Sequence, residues 1–253
     1  KTGEAIIAAL PGQARPTVDE VPFSSARKWS AVAIDGEDMR GVYVLGALEM
    51  LQPHLAPGPD FSDKLAEWTA RGLRVLIFAG RADALSLHDV AGNPALPPEL
   101  QPLGLLCFSD ELRPEARQTL AGFVEAGIAL KVISGDNPQT VAALARQAGL
   151  PEGMGVVSGP ELDALSDAEF AQVAEATTIF GRITPQQKER LVDALRGRGH
   201  YVAMIGDGVN DVLSLKKSQM GIAMQSGSSA TRGVADMVLL NDSFAALPPA
   251  FLE

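Results

Sequence analysis

The chain has 253 residues, 46% of them hydrophobic and 21% charged, which suits folded domains rather than a disordered tail and leaves room for two cores. Its 31 acidic residues outnumber 21 basic ones, for a formal charge of −10, and argue against a surface that grips nucleic-acid phosphates. No apolar run approaches the roughly 20 residues that span a bilayer, so the chain as given reads as soluble.

The first hundred residues mix short strands with helices. Thr2 to Leu10 has helical spacing, and Val18 to Phe23, Trp29 to Ile34 and Val42 to Leu45 read as strands, the last two joined by a turn from Asp35-Gly36 to Gly41. Phe61 to Arg71 is patterned as an amphipathic helix, and Leu73 to Ala79 returns as an apolar strand. This pattern predicts a small α+β domain with an antiparallel sheet. The stretch Gly92-Asn-Pro-Ala-Leu-Pro-Pro98 is rich in breakers and is the candidate linker, which sets a boundary near Pro102 and domains of 1–101 and 102–253.

Beyond that boundary apolar strands alternate with helices. Leu103 to Phe108, Ala129 to Ile133, Thr177 to Phe180, Tyr201 to Ile205, Gly221 to Ala223 and Met237 to Leu240 read as strands. Pro114 to Ala126, Pro138 to Ala148, Pro185 to Arg196 and Val209 to Lys217 read as helices. Such alternation indicates α/β architecture, a Rossmann-like parallel sheet whose ligands bind beyond the carboxyl ends of the strands. The lone cysteine, Cys107, is expected as a buried strand residue; it can close no internal disulfide, which fits a reducing compartment. His54, His88 and His200 lack metal-ligand spacing, so no zinc site is expected.

Chemistry concentrates at strand ends. Met204-Ile-Gly206-Asp207-Gly208-Val209-Asn210-Asp211 follows the strand Tyr201 to Ile205 and can place two carboxylates, Asp207 and Asp211, in the crevice as hard oxygen ligands for Mg²⁺. An isolated Gly-Asp-Gly turn would equally be a helix cap beside a solvated aspartate. Ser134-Gly135-Asp136-Asn137-Pro138 ends another strand, with Asn137 and Pro138 as N-cap and first helical residue, so Ser134 and the amides after it lie where phosphate is favoured. Arg182-Ile-Thr184-Pro185-Gln-Gln187-Lys188 carries a capping-box pattern that puts Lys188 in the opening turns of a helix, either reaching an anion in the crevice or snorkelling to solvent.

Taken together and in this order, these segments resemble the haloacid dehalogenase superfamily and, within it, the P-type cation-transporting ATPases. Ser134 to Asp136 resembles the family's Thr-Gly-Asp segment, Arg182 to Lys188 its Arg-x-x-Pro-x-x-Lys segment, and Gly206 to Asp211 its Gly-Asp-Gly-x-Asn-Asp hinge. The similarity continues through Leu215-Lys-Lys217, Gly221 to Met224 and Ala235 to Leu239, and Asp110-Glu-Leu-Arg113-Pro114 matches a family segment near the nucleotide. In the first hundred residues, Val21-Pro-Phe23-Ser-Ser-Ala-Arg-Lys28 resembles the segment that offers an aromatic ring to adenine and a lysine to the phosphates. Gly72-Leu-Arg74 resembles one whose arginine lies near the nucleotide. Val44 to Glu49 matches the family's Lys-Gly-Ala-Pro-Glu, but with Leu45 and Leu48 where lysine and proline are expected, so one pocket lysine is missing.

The resemblance implies an antiparallel nucleotide-binding domain and a phosphorylation domain. Phe23, Lys28, Arg74, Asp110, Arg113 and Arg182 would serve ATP; Lys188, Asp207, Asn210, Asp211, Ser134, Gly135 and Asp136 would serve phosphoryl transfer; and Asp207 with Asp211 would hold Mg²⁺. The phosphorylated aspartate is not found. Lys1-Thr2-Gly3 invites alignment with the family's Asp-Lys-Thr-Gly, but about twenty residues to Phe23 are too few for the passage into the nucleotide domain, and Thr2-Gly-Glu-Ala-Ile6 better resembles that domain's Thr-x-x-Ala-Ile helix. On either alignment the strand bearing the nucleophile is expected to be missing, with Ile128 to Ile133 and Tyr201 to Ile205 flanking its place. The intact protein would be an ATP-driven cation pump at the cytoplasmic face of a membrane, with the transported cation held by membrane helices and an actuator domain as further partner, while this chain alone would be inactive. The competing expectations are a soluble phosphatase of the same superfamily and a nucleotide-binding fragment without turnover.

Overall fold

The computed structural model describes residues 2–109 and 112–250. It divides into two compact units, one made of residues up to 61 with 75–106, the other of 62–74 with those from 107 onward.

The first unit opens with α1 (Thr2–Ala9), followed by β1 (Asp19–Val21), β2 (Trp29–Asp35), β3 (Arg40–Gly46), α2 (Leu48–Leu51), and, after an excursion into the other unit, β4 (Arg74–Arg81) and β5 (Gln101–Phe108). The strands form one sheet in the order β1-β2-β3-β4-β5, antiparallel through its first three pairings. Period-2 alternation sends Trp29, Ala31 and Ala33 of β2, Val42 and Val44 of β3, and Ile77 and Ala79 of β4 into one core with Leu51, Leu87 and Leu100. A Cβ on Gly46 would lie 2.5 Å from that of Trp29, so only glycine lets β2 and β3 close on each other here.

Two expectations change in this unit. The run Leu103 to Phe108 belongs to the edge strand of the antiparallel sheet, not to a parallel one. An apolar run alone does not tell the two apart, and Pro102 is tolerated at an edge because its missing N–H leaves no ladder bond unmade. Edge placement also leaves Cys107 exposed rather than buried. The proline-rich stretch packs instead of running free: Ala95 donates to the Leu87 carbonyl at 2.8 Å, and Leu96 and Leu100 enter the core.

The second unit contains, in order, α3 (Ser62–Ala70), α4 (Ala116–Glu125), β6 (Val132–Ile133), α5 (Pro138–Gln147), β7 (Val156–Ser158), α6 (Gly159–Asp163), α7 (Asp167–Ala176), β8 (Ile179–Gly181), α8 (Pro185–Gly197), β9 (Ala203–Gly206), α9 (Val212–Lys217), β10 (Met220–Met224), α10 (Ser229–Arg232), β11 (Met237–Leu239) and α11 (Leu247–Ala250). Helix α3 is tied to α5: Gln147 donates to the Arg71 carbonyl at 3.0 Å and Thr140 to that of Leu73 at 3.2 Å. The strands form two parallel sheets of three, β11-β10-β9 and β6-β8-β7.

The central strands β8 and β10 are buried over most of their length, as strands covered on both faces should be. Among the described pairings β6 and β9 are bonded on one side only, and Val132, Ile133 and Ile205 are half-buried. Those two edges share clusters: Ile133 and Val202 pack against one core, and Leu130 and Ile205 against another. The α/β expectation, a parallel-sheet part plus an antiparallel-sheet part, therefore holds. The sequence reading passed over β7, α6 and α7, although Ser158 with Glu161 and Ser166 with Glu169 form capping boxes in the structure.

Candidate active site

Strand β9 ends at Gly206, and the chain then folds back in a tight turn over Val209–Asp211. That fold-back needs glycine, since a Cβ at Gly206 would lie 2.5 Å from that of Asp211. Asp211 is 5% exposed. Its Oδ2 accepts the Gly208 N–H at 3.1 Å, and its Oδ1 lies 2.5 Å from Lys188 Nζ. Asp207 and Asn210 are exposed on the same loop.

Lys188 reaches Asp211 because the start of α8 is fixed from several directions. Thr184 Oγ1 accepts the Gln187 N–H at 3.2 Å, and Gln187 Oε1 accepts the Thr184 N–H at 2.9 Å, the reciprocal box that the sequence pattern predicts. The buried Gln187 amide also donates to the Gly159 carbonyl at 2.9 Å and to Asp163 at 2.6 Å, which ties α8 to α6. A cation in a helix's opening turns is disfavoured by the helix dipole, and its close pairing with the Asp211 carboxylate offsets that cost.

The loop Ser134 to Asp136 follows β6 and enters α5, capped by Asn137, whose Oδ1 accepts the Gln139 N–H at 2.9 Å. Ser134 Oγ accepts the Asp136 N–H at 3.1 Å. This loop is laced to the one that follows β8: Ile183 donates to the Ser134 carbonyl at 3.0 Å and Arg182 to that of Asp136 at 2.8 Å, with Arg182 left-handed at φ 54°. Arg74 stands 3.8 Å from Asp136 and 5.9 Å above the Phe108 ring.

The structure thus joins Arg74, Asp136, Arg182 and Ser134 in one linked group, and Lys188, Asp211, Gly208 and Asp207 in another, with Ile183 to Gln187 running between them. Arg113 donates to the Asp242 carbonyl, and the Asp242 carboxylate accepts the Ser226 N–H at 2.9 Å. Asp110 lies outside the described residues.

In the first unit Phe23 is 65% exposed. It leads into a turn, closed by Lys28 N–H to the Ser24 carbonyl at 2.8 Å, that leaves Lys28 left-handed at φ 57°. Beside the residues that precede Phe23 is an open cavity of about 440 Å³, lined by Glu20, Val21, Pro22, Tyr43, Leu45 and Phe78 among others. Tyr43 and Phe78 stack there with centroids 6.1 Å apart. The sequence reading missed Glu20, Tyr43 and Phe78. Their signal was faint: Tyr43 and Phe78 are half-buried aromatics among the buried positions of β3 and β4, and Glu20 is an exposed acid on β1.

The donor set fits Mg²⁺, which takes one or two carboxylates and fills its other positions with water and phosphate oxygens. Asp207 is the exposed carboxylate, whereas both oxygens of Asp211 are already engaged, one by the Gly208 N–H of the loop and one by Lys188 of α8. Among the described residues no group of three or more Asp, Glu, His or Cys is assembled that could cage an ion unaided.

With this geometry in view, a family model described as haloacid dehalogenase-like hydrolase matches residues 25–219. The chain belongs to that family. It is 38% identical over its whole length to "Probable cation-transporting ATPase exp7" of Streptococcus pneumoniae serotype 4, covering 30% of that relative. Against "Calcium-transporting ATPase CtpE" of Mycolicibacterium smegmatis it is 41% identical over 90% of this chain and 27% of the relative. "Cation-transporting ATPase pma1" of Synechocystis sp. is 36% identical over 94% of this chain and 28% of its own length. The chain therefore spans about three tenths of the relatives it matches, and the expected kinship with cation-transporting ATPases stands. Among the described residues no helix is long and apolar enough to cross a membrane.

Proposed function

We propose that this chain is the ATP-handling and phosphorylation part of an ATP-driven cation pump that works through an aspartyl phosphate. The first unit would bind ATP and the second would carry out phosphoryl transfer. The observation that carries the reading is the Lys188–Asp211–Gly208 network, which braces a loop whose exposed carboxylate, Asp207, stands at the end of a parallel strand, where α/β proteins bind ligands.

In this reading Asp207 holds Mg²⁺, which would neutralise phosphate charge when bound. Asp211 and Asn210 order that loop and keep the Asp207 carboxylate directed outward. The Lys188 ammonium lowers the repulsion between an attacking carboxylate and the phosphoryl group. Ser134 and the Gly135 and Asp136 amides hold phosphate oxygens at the start of α5. Arg182 and Arg74 flank that position. Phe23 stacks on the adenine ring, with Lys28 following it toward the phosphates. Catalysis of this kind is positioning and electrostatic stabilisation, so the side chains need little chemistry of their own.

The attacking aspartate is assigned to a strand lying between β6 and β9, supplied by the rest of the polypeptide. Both edges are apolar, and each is bonded on one side only among the described residues. The chain alone would then bind nucleotide without turning it over.

The test is phosphorylation of the intact protein by ATP. Asp207→Asn should nearly abolish the acid-stable, hydroxylamine-labile phosphoenzyme, because the metal loses a charged ligand. Near-normal phosphoenzyme in that variant, or none in the wild type, would sink the reading.

A further inference from the structure

The segment after β10 makes contacts that the proposed mechanism does not use. Residues Gln225 to Ser228 pass directly behind the backbone of the Asp207 loop. A Cβ on Gly227 would lie 2.8 Å from the Asp207 carbonyl oxygen and 2.9 Å from that of Met224, so no larger residue fits without moving one of them. The next residue, Ser228, donates its N–H to the Asp207 carbonyl at 2.8 Å.

Helix α10 starts there, and Thr231 in its first turn is fully buried. Thr231 Oγ1 donates to the Gly208 carbonyl at 2.9 Å. Its N–H donates to Ser228 Oγ at 3.0 Å, and the two hydroxyls bond to each other. A consistent proton assignment runs from the Ser228 hydroxyl to Thr231 Oγ1, and from the Thr231 hydroxyl to Gly208. The two carbonyls that follow the Asp207 side chain are therefore both bonded to this segment, while the Gly208 N–H is bonded to Asp211.

We propose that Thr231 is a positioning residue for the metal-holding carboxylate: its hydroxyl, with the Gly227–Ser228 backbone, locks the Asp207–Gly208 peptide so that Asp207 meets Mg²⁺ without prior reorganisation. The inference rests on Asp207 being the metal-holding carboxylate. Its physical basis is general. A ligand held in its working orientation gains affinity because little is lost when the metal arrives, and removal of such outer partners costs ~10–100-fold in metal affinity or activity. Valine at 231 preserves shape and burial but removes the donor, leaving the Gly208 carbonyl unpaired. Serine preserves the donor.

The experiment uses the intact protein and Mg²⁺ alone, read by hydrogen exchange of the peptide covering residues 203–211. In the wild type, Mg²⁺ should slow exchange of this peptide. Thr231→Val should need ~10-fold more Mg²⁺ for half the effect, and Thr231→Ser should stay within about twofold of wild type. The Mg²⁺ dependence of phosphoenzyme formation should shift by the same factor, with its plateau retained. If Thr231→Val fails to fold, Gly227→Ala decides, because its Cβ would press on the Asp207 carbonyl of the same peptide and should also raise the Mg²⁺ requirement. A wild type that responds while the decisive variant matches it, or a Thr231→Val that is only less heat-stable at unchanged Mg²⁺ dependence, overturns the positioning role. A wild-type peptide indifferent to Mg²⁺ refutes the metal role of Asp207, and this inference with it.

Discussion

Replacing Lys188 with methionine tests the arrangement at the centre of the site. The ammonium and the Asp211 carboxylate lie 2.5 Å apart with side chains 14% and 8% exposed, so the pair is largely out of water. Methionine keeps the length and apolar stem of lysine, but it leaves Asp211 buried and charged, still accepting the Gly208 N–H but without its counter-ion. Breaking a buried pair in this way costs about 3–5 kcal/mol. In a protein of this size that corresponds to a fall of roughly 10 °C in the second unit's midpoint. Two units need not melt together, so the assay is calorimetry or urea unfolding resolved into its transitions, with only the second expected to move. Adding Asp211→Asn should recover most of the loss, since an amide oxygen can still accept from Gly208 and no unpaired charge remains. A cost for Lys188→Met below about 1 kcal/mol, the worth of a solvated ion pair, would show that the pair does not brace the Asp207 loop.

Other expectations follow from particular contacts. Phe23→Ala should weaken ATP binding to this chain by roughly 1–3 kcal/mol if the exposed ring stacks on the base; a folded variant with an unchanged titration makes Phe23 a surface residue without that role. In the first unit Asp19 accepts the Leu87 N–H at 2.9 Å and faces His88 at 3.1 Å, and chiefly the former holds its carboxyl below the usual range. Its stabilising effect is thus complete above the unfolded-state pKa and is lost as pH falls through the lower folded-state value. Asp19→Asn should destabilise the unit at neutral pH, with the gap to wild type closing on acidification; Trp29 fluorescence in a Trp68→Phe background follows it, and a gap independent of pH contradicts the assignment. Hydrogen exchange should show β8 and β10 protected more strongly than the outer edges of β6 and β9, and uniformly strong protection of all four in a monomer would mean that no further strand is needed between the two sheets.

Much of the fold was legible because its signals are local. The turn at Asp35 to Gly41 appeared as the β2–β3 hairpin, and Thr184-Pro185 with Gln187 set the start of α8 to the residue. Asn137-Pro138 did the same for α5. What failed was non-local. Nothing in Leu103 to Phe108 says which sheet it joins, since that depends on pairing with β4, and the burial expected of Cys107 failed with it. The site motifs announced themselves through glycines and carboxylates at strand ends. The supports behind them did not: Gln187 reached α6, and Thr231 reached Gly208, across 28 and 23 residues of sequence. Short polar side chains aimed at distant carbonyls leave no periodic trace.

The order of strands also bears on how fast each unit can form. In the first sheet every strand lies beside its neighbour in sequence, and β2 and β3 are linked by a tight turn, although residues 62–74 make a detour before β4. In the second, β8 sits between β6 and β7, and each parallel pairing must wait for the helix that crosses between its strands. Closing longer loops before any contact rewards them slows the search for the native state. A nascent or refolding chain should therefore gain the antiparallel meander early and the parallel sheets late, so that the first unit would be shaped before the one that carries the Asp207 loop.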